Sequence, residues 1–353
     1  MNKLNRPWTK DETQNYSNMN DEALIELNKT LCPTGGDKPY KLGIFVPGQV
    51  GDLAQVMGII KYTELLWPQY KIIFFTNMPN ADLLRYAPID EVRPWPWAGN
   101  GLNSGEPDHF PFLCNTLNNT LSLELSKTRK DTNDIDLGFF PATHQVPSEK
   151  REGVEYSNVS KMVFRIPNDW GWHPCLSWSE EEKLAIKQFI DTLPKNRKTF
   201  LLETFAGSGQ SPFYTVETTK KIMQTCRDKF GECNFIFGSH KHIGGENNIG
   251  LLNADLFDRD DRSCVNAGQF TPRQVALIND YVDLIIGISS GISVVTSAYG
   301  LKPTPKLQWC GSRICSTQAI AVGPFYLVEA EFKTKEVATK EFFNKLNEVL
   351  ETI

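Results

Sequence analysis

Lys41 to Asn77, KLGIFVPGQVGDLAQVMGIIKYTELLWPQYKIIFFTN, limits the folds open to this chain more than any other stretch. Leu42 to Val46 is a short, nearly continuous apolar run, as expected of a strand buried on both faces. Pro47-Gly48 breaks it, and Gly51-Asp52 carries a turn. From Leu53 onward Val56, Ile59, Ile60 and Leu66 recur at helical spacing, and Trp67-Pro68 ends that helix. Lys71 to Thr76 reads as a second strand. A strand-helix-strand unit of this length implies parallel pairing through a right-handed crossover. Open α/β sheets bind ligands beyond the carboxyl ends of their strands, where Gly48-Gln49-Val50-Gly51-Asp52 must lie.

The loop is not a dinucleotide fingerprint, because Leu53 stands where a third glycine is needed, and no Gly-Lys-Ser/Thr follows to make a P-loop. What it offers is Asp52, one carboxylate in the first turn of a helix. Two readings stand side by side: a residue favoured there by the helix dipole, or a catalytic base presented to a cleft.

At 353 residues, length favours two domains, and 40% hydrophobic with 22% charged residues is ordinary globular composition. A net charge of −5 argues against a sequence-independent grip on nucleic acid. No apolar run is long enough to span a bilayer, and the polar start MNKLNRPWTKDETQNYSN does not resemble a signal peptide. The eight cysteines form no C-x-x-C pair, so reduced thiols and a cytoplasmic location are expected.

Residues 1–40 read as an N-terminal extension and 41–178 as a Rossmann-like domain. In the latter, Trp95 and Trp97 follow a third strand and either line the cleft or cap the core edge; a helix is plausible near Leu117 to Lys127. A hinge is expected around 168–197, and Ser179 with Glu182 forms a capping box. A second α/β series then spans 179–335, with strands at Thr199 to Glu203, Asn234 to Phe237 and Val282 to Ile288, and a Thr271-Pro272 helix start. Ser289-Ser290-Gly291-Ile292-Ser293 turns straight from a buried strand into a helix, so its backbone N–H groups, with hydroxyls from Ser290 and Ser293, suit an anion. Gly207-Ser208-Gly209-Gln210-Ser211 is a second small-residue loop at a matching strand end, and the two together would hold a diphosphate. Ser239, His240 and Lys241 supply further loop donors; His240-x-His242 has no partner ligands at suitable spacing, so no metal is expected. Residues 336–353 form an amphipathic helix.

GQVGDLAQVMGIIKYTELLWPQYKIIFFTN with NADLLRYAPIDEV, and later TPRQVALINDYVDLIIGISSGISVVTSAYGLKP, resemble the two signatures of heptosyltransferase-like glycosyltransferases of the family 9 type. The resemblance implies a GT-B fold: α/β, two Rossmann-like domains whose parallel sheets face a central cleft, with the C-terminal helix returning to the N-domain. It implies inverting, metal-independent transfer from a nucleotide-diphospho-sugar with no further cofactor. Asp52 falls on the family's catalytic base, and Ser290-Gly291 on the turn that holds the diphosphate. Gln49, Val50, Gly51, Gln55, Trp95 and Trp97 are then the acceptor side. Two positions depart from the pattern. The family's D-S-G-x-x-H turn has Ser289 and Val294 at its ends here, and its usual lysine is absent from Gly207 to Pro212, so phosphate charge falls to backbone amides or a cation such as Lys241.

The expectation is a glycosyltransferase acting on a glycan or glycolipid acceptor, with peripheral membrane contact an open option and nucleic acid not expected. The alternatives are a transferase acting on DNA bases or protein, and a catalytically inactive nucleotide-sugar-binding protein of the same fold.

Overall fold

The structure, a computed structural model, describes residues 38–46, 50–76, 78–94, 112–115, 120–123, 135–139, 160–161, 164, 166–167, 169–203, 216–238, 262–310, 321–330 and 333–353, with 78–79, 93–94, 112–115 and 120–123 described by backbone alone. The chain divides into two compact units, Met1–Cys175 and Leu176–Ile353.

In the first unit, strands β1 (Tyr40–Val46), β2 (Tyr70–Thr76), β3 (Glu91–Pro94) and β6 (Leu137–Phe139) form a parallel sheet in the order β3-β2-β1-β6. The central strands are buried on both faces, and Phe45 stacks on Phe75 with centroids 4.2 Å apart. Helix α1 (Val50–Val56) passes into a 3-10 stretch, Met57–Tyr62, before α2 (Thr63–Leu66). Apolar spacing alone predicts one continuous α-helix here. Its interruption has a local cause: Trp172 lies across Gly58, where a Cβ would come within 2.6 Å of the indole ring. The indole N–H also donates to the Gln55 carbonyl at 2.6 Å.

A two-stranded antiparallel ribbon pairs β4 (Phe112–Asn115) with β5 (Thr120–Leu123). It replaces the helix expected near 117–127: Thr120-Leu121-Ser122-Leu123 alternates polar with apolar, the period of a strand.

In the second unit six parallel strands run β12-β11-β10-β7-β8-β9. They are β7 (Lys198–Glu203), β8 (Cys233–Phe237), β9 (Cys264–Asn266), β10 (Leu284–Ile288), β11 (Lys306–Cys310) and β12 (Phe325–Glu329). Both faces are covered, as parallel sheets require. On one face Phe200, Leu202, Ile286, Phe235 and Trp309 pack with α4 (Val216–Phe230) and α7 (Lys335–Leu350). On the other, Leu201, Ile236 and Ile285 pack with α3 (Glu180–Asp191) and α5 (Pro272–Ala276).

Helix α7 packs within the second unit. Its apolar stripe, Ala338, Phe342, Leu346 and Val349, is buried in the second unit's own core, with Phe342 stacked on Trp309 at 4.8 Å. Thr334 caps it, its hydroxyl accepting the Val337 N–H.

One device sets strand register three times. The residue before an incoming strand is an aspartate whose N–H donates to a carbonyl of the neighbouring strand: Asp90 to Ile72, Asp136 to Lys41, Asp283 to Thr199. Its carboxylate accepts the N–H of that same residue, from Ile72 (2.8 Å), Lys41 (2.8 Å) and Thr199 (2.9 Å). An N–H at the second or third residue of each older strand is thereby satisfied by a charge-assisted bond.

The capping box on α3 is present as expected, with Ser179 and Glu182 each accepting the other's N–H. Glu182 does more: it accepts Arg273 Nη2 at 2.5 Å and Nη1 at 3.0 Å, while Arg273 Nη1 also donates to the Ser177 carbonyl at 2.6 Å. Arg273 has no exposed surface. Burial by itself would raise the Glu182 carboxyl; the Arg273 hydrogen bonds outweigh it and hold the group below its usual range.

Candidate functional site

Each sheet contains one place where the chain reverses its direction of strand addition. In the first, β2 and β3 add to one side of β1, and β6 then adds to the other. In the second, β8 and β9 add to one side of β7, and β10, β11 and β12 to the other. The crevice beyond the carboxyl ends at such a switch is where open α/β sheets take ligands. The segment leaving β1 opens α1 with Asp52; the segment leaving β10 is Ser289-Ser290-Gly291, which opens α6 (Gly291–Ser297). The Gly207 to Ser211 loop, Gln49, Trp95, Trp97, Ser239, His240 and Lys241 lie outside the described residues.

In the first unit Asp52 is half-buried, while Val50, Gly51 and Gln55 are buried. Asp52 and Gln55 stand three apart and so share a helix face. Gln55 is 4% exposed and its Oε1 has no hydrogen-bond partner among the described residues. Its backbone is held by the Trp172 indole. Tyr62 adds a second tie, its hydroxyl donating to the Gly171 carbonyl and its ring 4.7 Å from that of Trp170. Segment 170–172 therefore braces the helix that carries Asp52, a contact between distant stretches that spacing along the chain does not announce.

In the second unit the serine turn is a capping box. Ser290 Oγ accepts the Ser293 N–H at 3.1 Å, and Ser293 Oγ accepts the Ser290 N–H at 2.7 Å. Ser293 Oγ also donates its one proton to the Ser290 carbonyl at 2.8 Å and is fully buried. The hydroxyl of Ser293 thus belongs to the cap, not to a ligand. The Ile292 side chain is likewise in the core at 4% exposure. What the turn presents is backbone: the N–H groups of Gly291 and Ile292, at the first two helical positions, have no intrahelical acceptor. The Ser290 hydroxyl keeps its proton to give.

Glu203 stands at the carboxyl end of β7, and its sequence context marks it only as the close of a strand. It faces the same side of the sheet as Leu201, is 2% exposed, and pairs in register with Gly287 of β10. Glycines flank it: a Cβ at Gly238 would lie 2.7 Å from Glu203 Oε1, and one at Gly287 2.4 Å from Glu203 Cβ. Burial pushes its carboxyl up to about 8, against which a hydrogen bond with Thr296 of α6 acts only weakly, so the group is largely protonated at neutral pH. The linkage sign follows. The folded state holds a proton that the unfolded chain releases near 4.5, so stability is lost as pH rises from there through about 8. Glu203→Gln should abolish that slope, leaving the variant more stable than wild type by about 4 kcal/mol at pH 8 and equal to it below pH 4. Urea unfolding at several pH values tests this; parallel pH profiles of the two proteins would refute it.

No family model matches the sequence, and no curated protein is significantly similar to it. Solved structures are similar in fold. The glycosyl transferase family 9 protein from Veillonella parvula superposes with a TM-score of 0.59 over 88% of this chain and 97% of its own, at 11% identity. The two chains share the GT-B fold. The E. coli ADP-heptose LPS heptosyltransferase II matches over 87% of this chain and 98% of its own, with a TM-score of 0.51 and 16% identity. The dodecameric iron-containing heptosyltransferase TibC, solved with ADP-D-beta-D-heptose, gives a TM-score of 0.50 at 10% identity, over 90% of this chain and 78% of its own. In this GT-B fold the two parallel sheets are the two Rossmann-like domains. Among the described residues no group of three or more His, Cys, Asp or Glu is placed to hold a metal ion. No helix among them is long and apolar enough to cross a membrane.

Proposed function

We propose that this protein is a cytoplasmic, metal-independent, inverting glycosyltransferase that moves a sugar from a nucleotide-diphosphate donor to a hydroxyl of a glycan or glycolipid. Asp52 takes the proton of the acceptor hydroxyl; the oxygen attacks the anomeric carbon; the bond to the diphosphate oxygen breaks and the nucleoside diphosphate leaves. Charge developing on that leaving group is met by pre-aimed donors, the amides of Gly291 and Ile292 and the Ser290 hydroxyl, with Lys241 and the Gly207 to Ser211 loop as further contributors. Gln55, beside Asp52 on one helix face, orients the acceptor. A glycolipid acceptor would bring the protein into peripheral contact with a membrane.

One observation carries the reading. The turn bearing Asp52 and the turn bearing Ser290-Gly291 each stand at the switch point of their own sheet. The test is calorimetric binding of ADP and UDP, followed by transfer assays with a panel of nucleotide-sugars in EDTA. Nucleotide binding with EDTA-resistant release of nucleoside diphosphate is expected. Transfer that disappears in EDTA and returns with a divalent ion would overturn the metal-independent mechanism, and a protein that binds nucleotide but never turns over would leave a binding module.

A further inference from the structure

The 3-10 stretch Met57–Tyr62 decides which way Asp52 faces. An α-helix turns about 100° and rises about 1.5 Å per residue, whereas a 3-10 helix turns about 120° and rises about 2.0 Å. Over the six residues from Met57 to Tyr62 the difference comes to roughly 120° of rotation and about 3 Å of length. Rewound as α-helix, the stretch would carry Asp52 round and back by those amounts relative to α2. Helix α2 is not free to follow. Trp67 at its end is buried and packs on Phe139 of β6, with ring centroids 5.3 Å apart.

Segment 170–172 grips both ends of the stretch. At the start, the Trp172 indole N–H donates at 2.6 Å to the Gln55 carbonyl, the acceptor that a continuous α-helix would offer to the Ile59 N–H. The same ring lies on Gly58, where any side chain would have to displace it. At the far end the Tyr62 hydroxyl donates to the Gly171 carbonyl, and the Tyr62 ring packs against Trp170. Shortening the stretch by about 3 Å would pull one of these two hydrogen bonds apart. The Trp172 ring is itself backed, since Phe164 stands 6.2 Å from it and 5.1 Å from Phe139. A 3-10 run of six residues is longer than such helices usually sustain, so outside support is what it needs.

We propose that Trp172 is a positioning residue for Asp52: as a splint across Met57–Tyr62 it keeps the helix in its 3-10 form and so fixes the direction of the carboxylate. This rests on the reading of Asp52 as the base that takes the acceptor proton. Trp172 is buried and acts through the backbone of α1, so its role is distinct from catalysis.

Two variants of the full chain test it from opposite sides. Trp172→Phe keeps an aromatic ring beside Gly58 and removes the indole N–H; Gly58→Ala keeps the N–H and pushes the ring away. In transfer from ADP- and UDP-sugars each should lower kcat by about 10–10²-fold, with ADP and UDP affinity unchanged. In an Asp52→Asn background the same two changes should lower kcat no further, because no base remains to be misplaced. A further loss as large as that seen in wild type would make Trp172 merely structural and overturn the proposal. Trp172→Phe at the wild-type rate beside an impaired Asp52→Asn would overturn this role alone. Asp52→Asn at the wild-type rate would overturn the base and this role together. Hydrogen exchange gives a measure that needs no substrate. The peptide over Met57–Tyr62 should exchange about tenfold faster in Trp172→Phe than in wild type, while that over β2 is unaltered. Equal exchange of Met57–Tyr62 in the two proteins would refute the splint.

Discussion

Asp52→Asn should lower kcat by about 10²–10⁴-fold while leaving nucleoside-diphosphate affinity unchanged. The size of the loss separates the two readings of this residue. If Asp52 only complements a helix terminus, removing its charge costs about 0.3–1 kcal/mol of stability and nothing in the chemical step. If it takes the acceptor proton, the barrier rises by roughly 3–5 kcal/mol. Asparagine is itself well tolerated at helix starts, so the fold should survive. Steady-state transfer together with ADP and UDP binding decides the matter. Transfer at the wild-type rate would remove Asp52 from the mechanism. Loss of nucleotide binding alongside activity would point to misfolding instead.

Arg273→Ala should cost about 3–5 kcal/mol, the largest stability effect expected of a single substitution here. Arg273 is fully buried, and its two bonds to Glu182 and one to the Ser177 carbonyl vanish together. Glu182 is left as a largely buried carboxylate that keeps only its cap and its bond from Gln274 Nε2 at 3.0 Å. The Arg273→Met, Glu182→Leu pair should be milder than the single change, because no orphaned charge remains, although it gives up the α3 capping box. Chemical denaturation of the three proteins tests this. A double variant less stable than Arg273→Ala would contradict the argument.

The chain states the outline of its fold plainly wherever the signal is local. Both Ser179 and Thr271 form the caps their sequences announce, and the buried strands β1, β2, β7 and β10 fall on unbroken apolar runs. Strand β11 escapes such a reading because buried Lys306 and Gln308 interrupt its apolar residues. The break in the first helix is invisible too: Gly58 looks like an ordinary glycine until Trp172 arrives from more than a hundred residues away. Glu203 is hidden for the same reason. An acidic residue closing a strand is unremarked in one dimension, and its environment is made by glycines on two other strands. Ser293 shows the reverse limit. A serine in an anion-binding pattern carries no mark of whether its proton faces outward or serves the backbone beside it. Only the directions of its three bonds decide.

Helix α7 closes the sheet beside it and buries its apolar stripe there, Val337 alone of its apolar residues remaining exposed. The back half of the chain therefore supplies both ends of its own interior. Residues 176–353 should therefore fold when produced alone, and a fragment that shows no cooperative urea unfolding would contradict this.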